Sequence, residues 1–318
     1  MDANALDVLE FPAIRERAAR AAATELGAAL AAALEPSSDP GEVVRRQALT
    51  AEAIALLDES LEPPLEGIAD IREQVAHAAL GGALSPHALR LVAATAAGAV
   101  RTRAALQAQE APHLGGLAAA IDPALAALGK ALDRAVEEDG SDLRDNASTK
   151  LRKLRGELRT GRQRVRERLE QLVRSRELRE HLQEEFITIR GGRPVLAVKA
   201  SARRSVPGIV HDASDSGQTL FVEPFDVVEL SNRQSEAASA ERDEVERILR
   251  ELSASVGENA ARLRAAVEAA AAIDLAFALG TLSRGWKGTP VEVADEVRLV
   301  AARHPLLDPR AAVPIDPD

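Results

Sequence analysis

Apolar residues recur every seven positions after about Thr149, in a stretch otherwise rich in Arg and Glu. The repeating residues are Leu151, Leu158, Val165 and Leu172. This spacing places them on one face of an α-helix, so it predicts a long amphipathic helix that ends near Gln183. A second helical stripe runs from Val245 to about Leu279. The pattern therefore predicts two long helices with a different element between them.

Between the two helical stripes, apolar and polar residues alternate with the period of a β-strand. Ile187 and Ile189 precede the turn-forming pair Gly191-Gly192, and the alternation resumes from Val195, which predicts a β-hairpin. Two further apolar runs, at 208–210 and 219–222, flank the turn-rich string HDASDSGQ. We therefore predict a small β unit over residues 186–224.

The two ends of the chain differ in pattern. Residues 1–147 contain several Pro and Gly breaks between helical runs, and Ser85 before Pro86 has the order of a helix cap followed by a first helical residue. A helical domain is expected there. Residues 281–318 alternate again, which predicts the first strands of a further domain. The fold class expected for the whole chain is mainly α, with two long antiparallel helices, over 148–185 and 225–280, and the β unit at their tip.

Composition supports a helical protein of more than one packed unit. The chain has 318 residues, 46% of them hydrophobic but only 2% aromatic, so its apolar content is chiefly Ala, Leu and Val. It has no cysteine, which excludes disulfides, thiol nucleophiles and thiolate metal sites and favours a cytoplasmic setting. The acidic N-terminus does not have the pattern of a signal peptide, and charged residues interrupt the Ala-rich stretches, so we expect no membrane segment.

Charge is distributed unevenly along the chain. The formal net charge is −10, yet residues 150–204 contain 17 Lys and Arg against 7 Glu and no Asp. A basic face on an acidic body suits contact with phosphate. A solvated coiled-coil surface would give the same distribution, and charge alone does not separate the two interpretations.

The candidate nucleic-acid-binding residues lie on or between the predicted strands, where no acidic residue occurs from 186 to 211. They are Arg190, Arg193, Lys199, Arg203 and Arg204. Unpaired cations on a projecting tip suit phosphate contact. The alternative is that they protect an exposed edge strand from pairing with another chain.

Other polar groups are interpreted as structural. Eight cations on the first long helix are expected to form a solvated face: Arg152, Lys153, Arg155, Arg159, Arg162, Arg164, Arg166 and Arg168. His211 and Asp212 are too few for a zinc site and are expected in a hydrogen-bonded turn. With five Phe, one Trp and no Tyr, recognition of single strands by base stacking is not expected. No catalytic, cofactor-binding or metal-binding residue is predicted.

Several exact strings resemble the MutS family, in particular its bacterial paralogue of the second type. The longest is ITIRGGRPVLAVKASARRSVPGIVHDASDSGQTLFVEPFDVVEL at 187–230, supported by PPLEGIADI, GGALSPHALRLV, LRDNASTKLRKLRGEL and ARHPLL. The resemblance implies a core domain at 1–147, lever helices at 148–185 and 225–280, and a clamp domain at 186–224. Residues 281–318 would begin the ATPase domain. The string Phe221-Val222-Glu223 matches the family's mismatch wedge by letters only, and we interpret it as a packed strand.

The resemblance also sets expectations about function. The chain contains no GxxxxGK[ST] loop, so ATP hydrolysis is not expected from it. The intact family protein is expected to bind ATP and magnesium, to form a homodimer and to carry a C-terminal nuclease domain. The expected partner is duplex or branched DNA, in suppression of homologous recombination, or ribosomal RNA, in rescue of collided ribosomes. The alternative is a structural or protein-binding coiled coil without a nucleic-acid role.

Overall fold

The computed structural model describes residues 3–294, 296–308 and 312–316. These residues form a mainly helical protein with one four-stranded antiparallel sheet, which confirms the predicted class. The chain divides into two compact units. We call Met1–Asp142 with Leu249–Asp318 the helical unit, and Leu143–Ile248 the sheet unit.

The helices and strands are named in chain order. The helices are α1 (Ala3–Val8), α2 (Phe11–Ala21), α3 (Glu25–Ala32), α4 (Pro40–Asp58), α5 (Arg72–Ala79), α6 (Pro86–Gln107), α7 (Pro112–Ala119), α8 (Leu125–Ala135), α9 (Thr149–Arg174), α10 (Arg176–Arg179), α11 (Phe225–Glu258) and α12 (Ala260–Trp286). The strands are β1 (Leu182–Arg190), β2 (Arg193–Lys199), β3 (Gly208–Ala213) and β4 (Thr219–Pro224).

Helix α12 forms the centre of the helical unit, where it packs against α2 to α7. Its Asp274 is only 1% exposed and anchors the start of α3. The carboxylate accepts hydrogen bonds from the backbone N–H groups of Ala23 and Thr24, each at 2.8 Å, and from the Thr24 hydroxyl. A buried carboxylate is tolerated here because its oxygens have hydrogen-bond donors.

The same helix corrects the expectation that no stretch is apolar enough to cross a bilayer. By length and composition α12 passes that test. However, 61% of its apolar window is buried inside the protein, as is usual for a core helix. Its apolar window has few charged residues, unlike the Ala-rich stretches that Arg and Glu interrupt.

The expected helix start at Ser85 is confirmed. The Ser85 hydroxyl accepts a hydrogen bond from the Ala88 N–H at 3.2 Å, and Pro86 is the first residue of α6. The fixed φ of proline and its missing N–H suit this position, where a donor would have no partner within the helix.

The first long helix ends earlier than the pattern predicts, and the second is divided in two. Helix α9 ends at Arg174 and not near Gln183, because Ser175 takes an extended conformation and caps the short α10. The second helical stripe is divided at Asn259 between α11 and α12. Just before this break, the backbone at Gly257 lies so close to the Ala78 carbonyl that a Cβ would come within 2.6 Å of the oxygen.

The four strands are ordered β1-β2-β4-β3, so β1 and β3 are the edges. The expected hairpin at Gly191-Gly192 is confirmed, with Arg190 opposite Arg193. Strand β3 continues to Ala213, so His211 and Asp212 lie in a strand and not in the turn where they were expected. The run Ile209-Val210-His211-Asp212 does not alternate, and the Asp- and Ser-rich string that follows it favours a turn.

Helices α9 and α11 run antiparallel within the sheet unit. Ser148 at the start of α9 donates a hydrogen bond to Glu244 at 2.8 Å, while Arg168 near its end forms a 2.9 Å salt bridge with Asp226. The heptad residues Val165 and Leu172 of α9, together with Leu169, form one core with the sheet. The amphipathic stripe seen in the sequence is therefore the buried face of α9.

The expected strands over 281–318 are wrong for the residues that the structure describes. Helix α12 continues to Trp286, and the described residues beyond it contain a single bridge, between Ala302 and Ile315. Alternation alone does not make a strand, because each strand needs a hydrogen-bonded neighbour. Instead, Arg17 of α2 donates a hydrogen bond to the Pro305 carbonyl at 3.0 Å.

Candidate nucleic-acid interface

Arg190, the first predicted binding residue, has an acidic and an aromatic partner within the sheet. Its Nε lies 3.4 Å from the Asp212 carboxylate of β3. Its guanidinium carbon lies 4.1 Å from the centre of the Phe221 ring on β4, a cation–π distance. These contacts give Arg190 a structural role in the sheet.

Arg193 also has a carboxylate partner. It lies 3.4 Å from the Oε1 of Glu223, whose side chain is only 1% exposed, and it donates a 2.7 Å hydrogen bond to Asn232 of α11. The other oxygen of Glu223 lies 2.7 Å from Nε2 of His211. Arg193 and His211 thus both contact a buried carboxylate that needs hydrogen-bond donors.

These contacts overturn the premise that all five candidates are unpaired. No acidic residue occurs in the local sequence, but antiparallel pairing brings Asp212 and Glu223 to the arginines from β3 and β4. Asp212 therefore forms an ion pair with Arg190, and His211 contacts the carboxylate of Glu223. Among the described residues, no cluster of three or more His, Cys, Asp or Glu could hold a metal ion.

The other three candidates lie together and form no salt bridge with a described residue. They occupy the end of β2 and the 3-10 segment Ala200–Ser205 that leads to β3. Lys199 donates to the Glu180 carbonyl at 3.0 Å, and Arg203 donates to the carbonyls of Val206 and Gly208. Arg204 is exposed and has no described partner. We call Lys199, Arg203 and Arg204 the crossing cations.

A neutral carbonyl does not cancel the charge of the cation that binds it. The crossing cations therefore keep their positive potential, whereas carboxylates offset the charges of Arg190 and Arg193. Their chain segment crosses over β4, from β2 on one side to β3 on the other. It begins where Lys199 of β2 pairs with Thr219 and ends where Gly208 of β3 pairs with Pro224. The sheet topology thus gathers the three charges on one short connection.

The arginines of α9 also fall into two groups, those paired with carboxylates and those without a described salt bridge. Arg155 is 15% exposed and contacts both Asp145 and Glu241, so it has a structural role. Hydrogen bonds from Arg159 and then from Arg155 hold the pKa of Asp145 below its usual value. By contrast, Arg152, Arg162 and Arg164 are exposed and form no salt bridge with a described residue. The expectation of a solvated helix face is therefore met for only some of these cations.

Glu244 of α11 connects that helix to the start of α9 within the sheet unit. Its side chain has no exposed surface, and it contacts Arg247, Ser148 and Lys150. Hydrogen bonds from Arg247 and then from Ser148 lower the pKa of Glu244 to about 2. Ser148 also caps α9 by accepting a hydrogen bond from the Leu151 N–H at 2.9 Å.

One exposed aromatic residue was missed in the sequence. Phe186 is 55% exposed and lines a groove between α9 and β1. The alternation in the sequence places it on the opposite face from Ile187, which packs against the core, but does not show whether that face is covered. Its neighbours across the groove include Arg162 and Arg174.

The two units differ in charge. The sheet unit contains 21 Lys and Arg against 18 Asp and Glu, a formal charge of +3, while the remaining residues carry −13. Positive charge is thus concentrated in the unit that holds all five predicted binding residues.

Comparisons with known proteins agree with the strings noted above. The chain is 42% identical to the endonuclease MutS2 of Geobacillus thermodenitrificans and 41% identical to that of Symbiobacterium thermophilum, each over 99% of the chain. Over 99% of its length, the chain is similar to MutS2 proteins. The MutS2 of Thermomicrobium roseum is 39% identical, again over 99% of the chain. No protein-family profile matched. The chain spans about two fifths of the length of these MutS2 relatives (41%, 40% and 42%).

Proposed function

We propose that the sheet unit binds the phosphate backbone of nucleic acid, as the non-catalytic part of a MutS2-type protein. The observation that carries this proposal is the group of crossing cations, which form no salt bridge with a described carboxylate in a chain with net charge −10. Cations without a carboxylate partner gain most from a phosphate, because no intramolecular ion pair has to be broken. Each phosphate that they neutralise also releases condensed counterions.

Phosphate contact gives affinity without sequence recognition, which suits a protein that recognises the form of a nucleic acid. In this proposal, residues 186–224 act as a clamp and the helices over 148–185 and 225–280 act as levers. The preferred ligand is duplex or branched DNA, and structured ribosomal RNA is the second candidate. The relatives are named endonucleases, and catalysis would belong to parts of such a protein that this sequence does not contain.

The whole MutS2-type protein would bind ATP and magnesium, act as a homodimer and work in the cytoplasm. Closing two arms around one ligand raises the effective concentration of the second arm, so binding by this chain alone is expected to be weaker.

A second function is favoured by a different observation. Arg155, Arg159, Arg166 and Arg168 on α9 are all paired with carboxylates, as in a helix pair with a purely structural role. In that case the basic stretch would be a solvated face, and the chain would bind protein partners or none.

Fluorescence anisotropy with labelled duplex DNA, four-way DNA junction and structured RNA tests the proposal. The variant Lys199→Ala/Arg204→Ala removes two crossing cations and spares Arg203, which holds two carbonyls. Its matched control is Lys130→Ala/Arg134→Ala, which removes one exposed Lys and one exposed Arg from α8 of the helical unit, neither with a described partner.

We expect the crossing-cation variant to bind at least about tenfold more weakly than the wild-type chain, because two charge-assisted contacts are lost. The control should bind within about twofold of the wild type. Equal losses in both variants, or no binding by the wild type at low salt, would favour the structural function.

A further inference from the structure

A groove of about 660 Å³ lies between α9 and β1 in the sheet unit. Its floor is apolar and includes Val165, Leu169 and Ile187, which also belong to the core of this unit or pack against it. Two large apolar residues on its rim, Phe186 and Ile189, are 55% and 67% exposed. A groove of this volume has the size of a small-molecule or nucleotide site.

The register of β1 explains why Phe186 is exposed. Leu182 pairs with Val198 and Ile187 with Leu196, so the four residues 183–186 lie opposite the single residue Ala197. The surplus chain cannot lie flat against β2, and it displaces the ring of Phe186 from the core. Bulges of this kind redirect side chains at the edges of sheets.

The charged residues on the groove carry an excess of positive charge. Arg162 is exposed and forms no salt bridge with a described residue. Arg166 and Arg174 share the single carboxylate of Glu170, at 2.9 Å and 3.9 Å. The other acidic residue on the groove, Glu185, is paired with Arg179 at 2.6 Å. The occupant with matching charge is therefore an anion with an apolar face.

We propose that this groove binds unpaired nucleotides of a branched nucleic acid, with a base stacked on Phe186 and the adjoining phosphates at Arg162 and Arg174. This inference rests on the proposed function and narrows its ligand. Each base has a π-face that an aromatic ring can cover, whereas in a duplex those faces are already stacked. The groove thus favours branch points with unpaired nucleotides over intact duplex.

The proposal revises the sequence expectation that base stacking is unimportant. The expectation rested on the number of aromatic residues. Their exposure and their arginine neighbours are visible only in the structure. The five phenylalanines include Phe221, which is covered by Arg190, and Phe277, which is buried. Phe186 is the one that lines the described groove.

An abasic substitution tests the proposal, because it removes the base and keeps the phosphates. The full chain is titrated with two forked DNAs that differ only in whether the unpaired nucleotides carry bases. We expect the wild type to bind the base-bearing fork at least about fivefold more tightly than the abasic fork. The Phe186→Leu variant should bind both forks equally.

Two further variants serve as controls. Phe225→Leu changes another exposed phenylalanine of the sheet unit, 62% exposed and absent from the groove lining, and should keep the wild-type ratio. Arg162→Gln should weaken binding to both forks alike and leave the ratio unchanged, because it removes a phosphate contact.

A wild-type ratio near one would overturn the inference and would point to another occupant, such as an acidic apolar peptide. A ratio that survives in Phe186→Leu would overturn it as well. Failure of the proposed function is distinguishable: it would appear as no binding to either fork or to duplex, whereas bound forks with a ratio near one leave the proposed function standing.

Discussion

The two arginines at the β1–β2 hairpin and the three crossing cations look alike in the sequence, since none has an acidic neighbour between 186 and 211. In the fold they differ. Arg190 forms a salt bridge with Asp212, and Arg193 forms one with Glu223. The crossing cations contact carbonyls or no described partner. The comparison shows that strand register, and not local composition, decides which cation pairs with a carboxylate of the same chain.

The largest expected effect is on the paired side of this comparison. Arg193→Ala should lower the free energy of unfolding by about 2 kcal/mol, because it removes a cation from the buried carboxylate of Glu223. The loss is below that of a fully buried pair because Arg193 is partly exposed. Urea unfolding followed by circular dichroism would measure it.

The matched change on the unpaired side is Arg204→Ala. It should alter the free energy of unfolding by less than about 0.5 kcal/mol, since an exposed side chain without partners contributes little. Equal effects of Arg193→Ala and Arg204→Ala would contradict the division into structural and available cations.

The ion pairs of Glu244 can be tested through the pH dependence of stability. Glu244→Gln should destabilise the chain by about 1.5 kcal/mol at neutral pH, because charge-assisted hydrogen bonds to Arg247 and Lys150 are lost. The folded state lowers the pKa of this carboxyl from 4.5 to about 2. Its contribution is therefore fully present above about pH 4.5 and is lost as the pH falls towards 2.

Thermal unfolding between pH 6 and pH 2.5 would measure this contribution in the wild type and in Glu244→Gln. The difference in Tm between the two proteins should shrink as the pH falls. A constant difference across the range would show that Glu244 does not stabilise the fold through its charge.

A smaller effect is expected at Arg190. Replacement by Ala should cost about 1 kcal/mol, since both the salt bridge to Asp212 and the cation–π contact with Phe221 are partly exposed. Arg190→Lys keeps the charge but stacks less well on a ring, so it should recover only part of the loss. Full recovery by Lys would assign the contribution to the salt bridge alone.

The helices and hairpins of the sheet unit could be predicted because their signals are local. The heptad apolar residues of α9 and the Gly191-Gly192 turn both lie within the element that they predict, and both are confirmed. The end of α9 was misplaced because Ser175, an ordinary polar residue in the sequence, leaves the helical conformation and starts α10. The strands expected near the C-terminus did not form among the described residues, since a strand depends on partners that alternation cannot reveal.

The candidate site was predictable only in part, for a similar reason. The sequence located the basic residues, but the partners of Arg190 and Arg193 lie 22 and 30 positions further along the chain. Phe186 was missed because its exposure results from the uneven register of β1 against β2. Both features depend on how strands pair, and pairing is set by contacts that are distant in sequence.

The salt dependence of duplex DNA binding tests the central claim most directly. The slope of log Kd against log salt concentration reports how many phosphates are neutralised. We predict that Lys199→Ala/Arg204→Ala lowers this slope by about two relative to the wild type, while Lys130→Ala/Arg134→Ala leaves it unchanged. An unchanged slope in the crossing-cation variant, or an equal decrease in the control, would contradict the account.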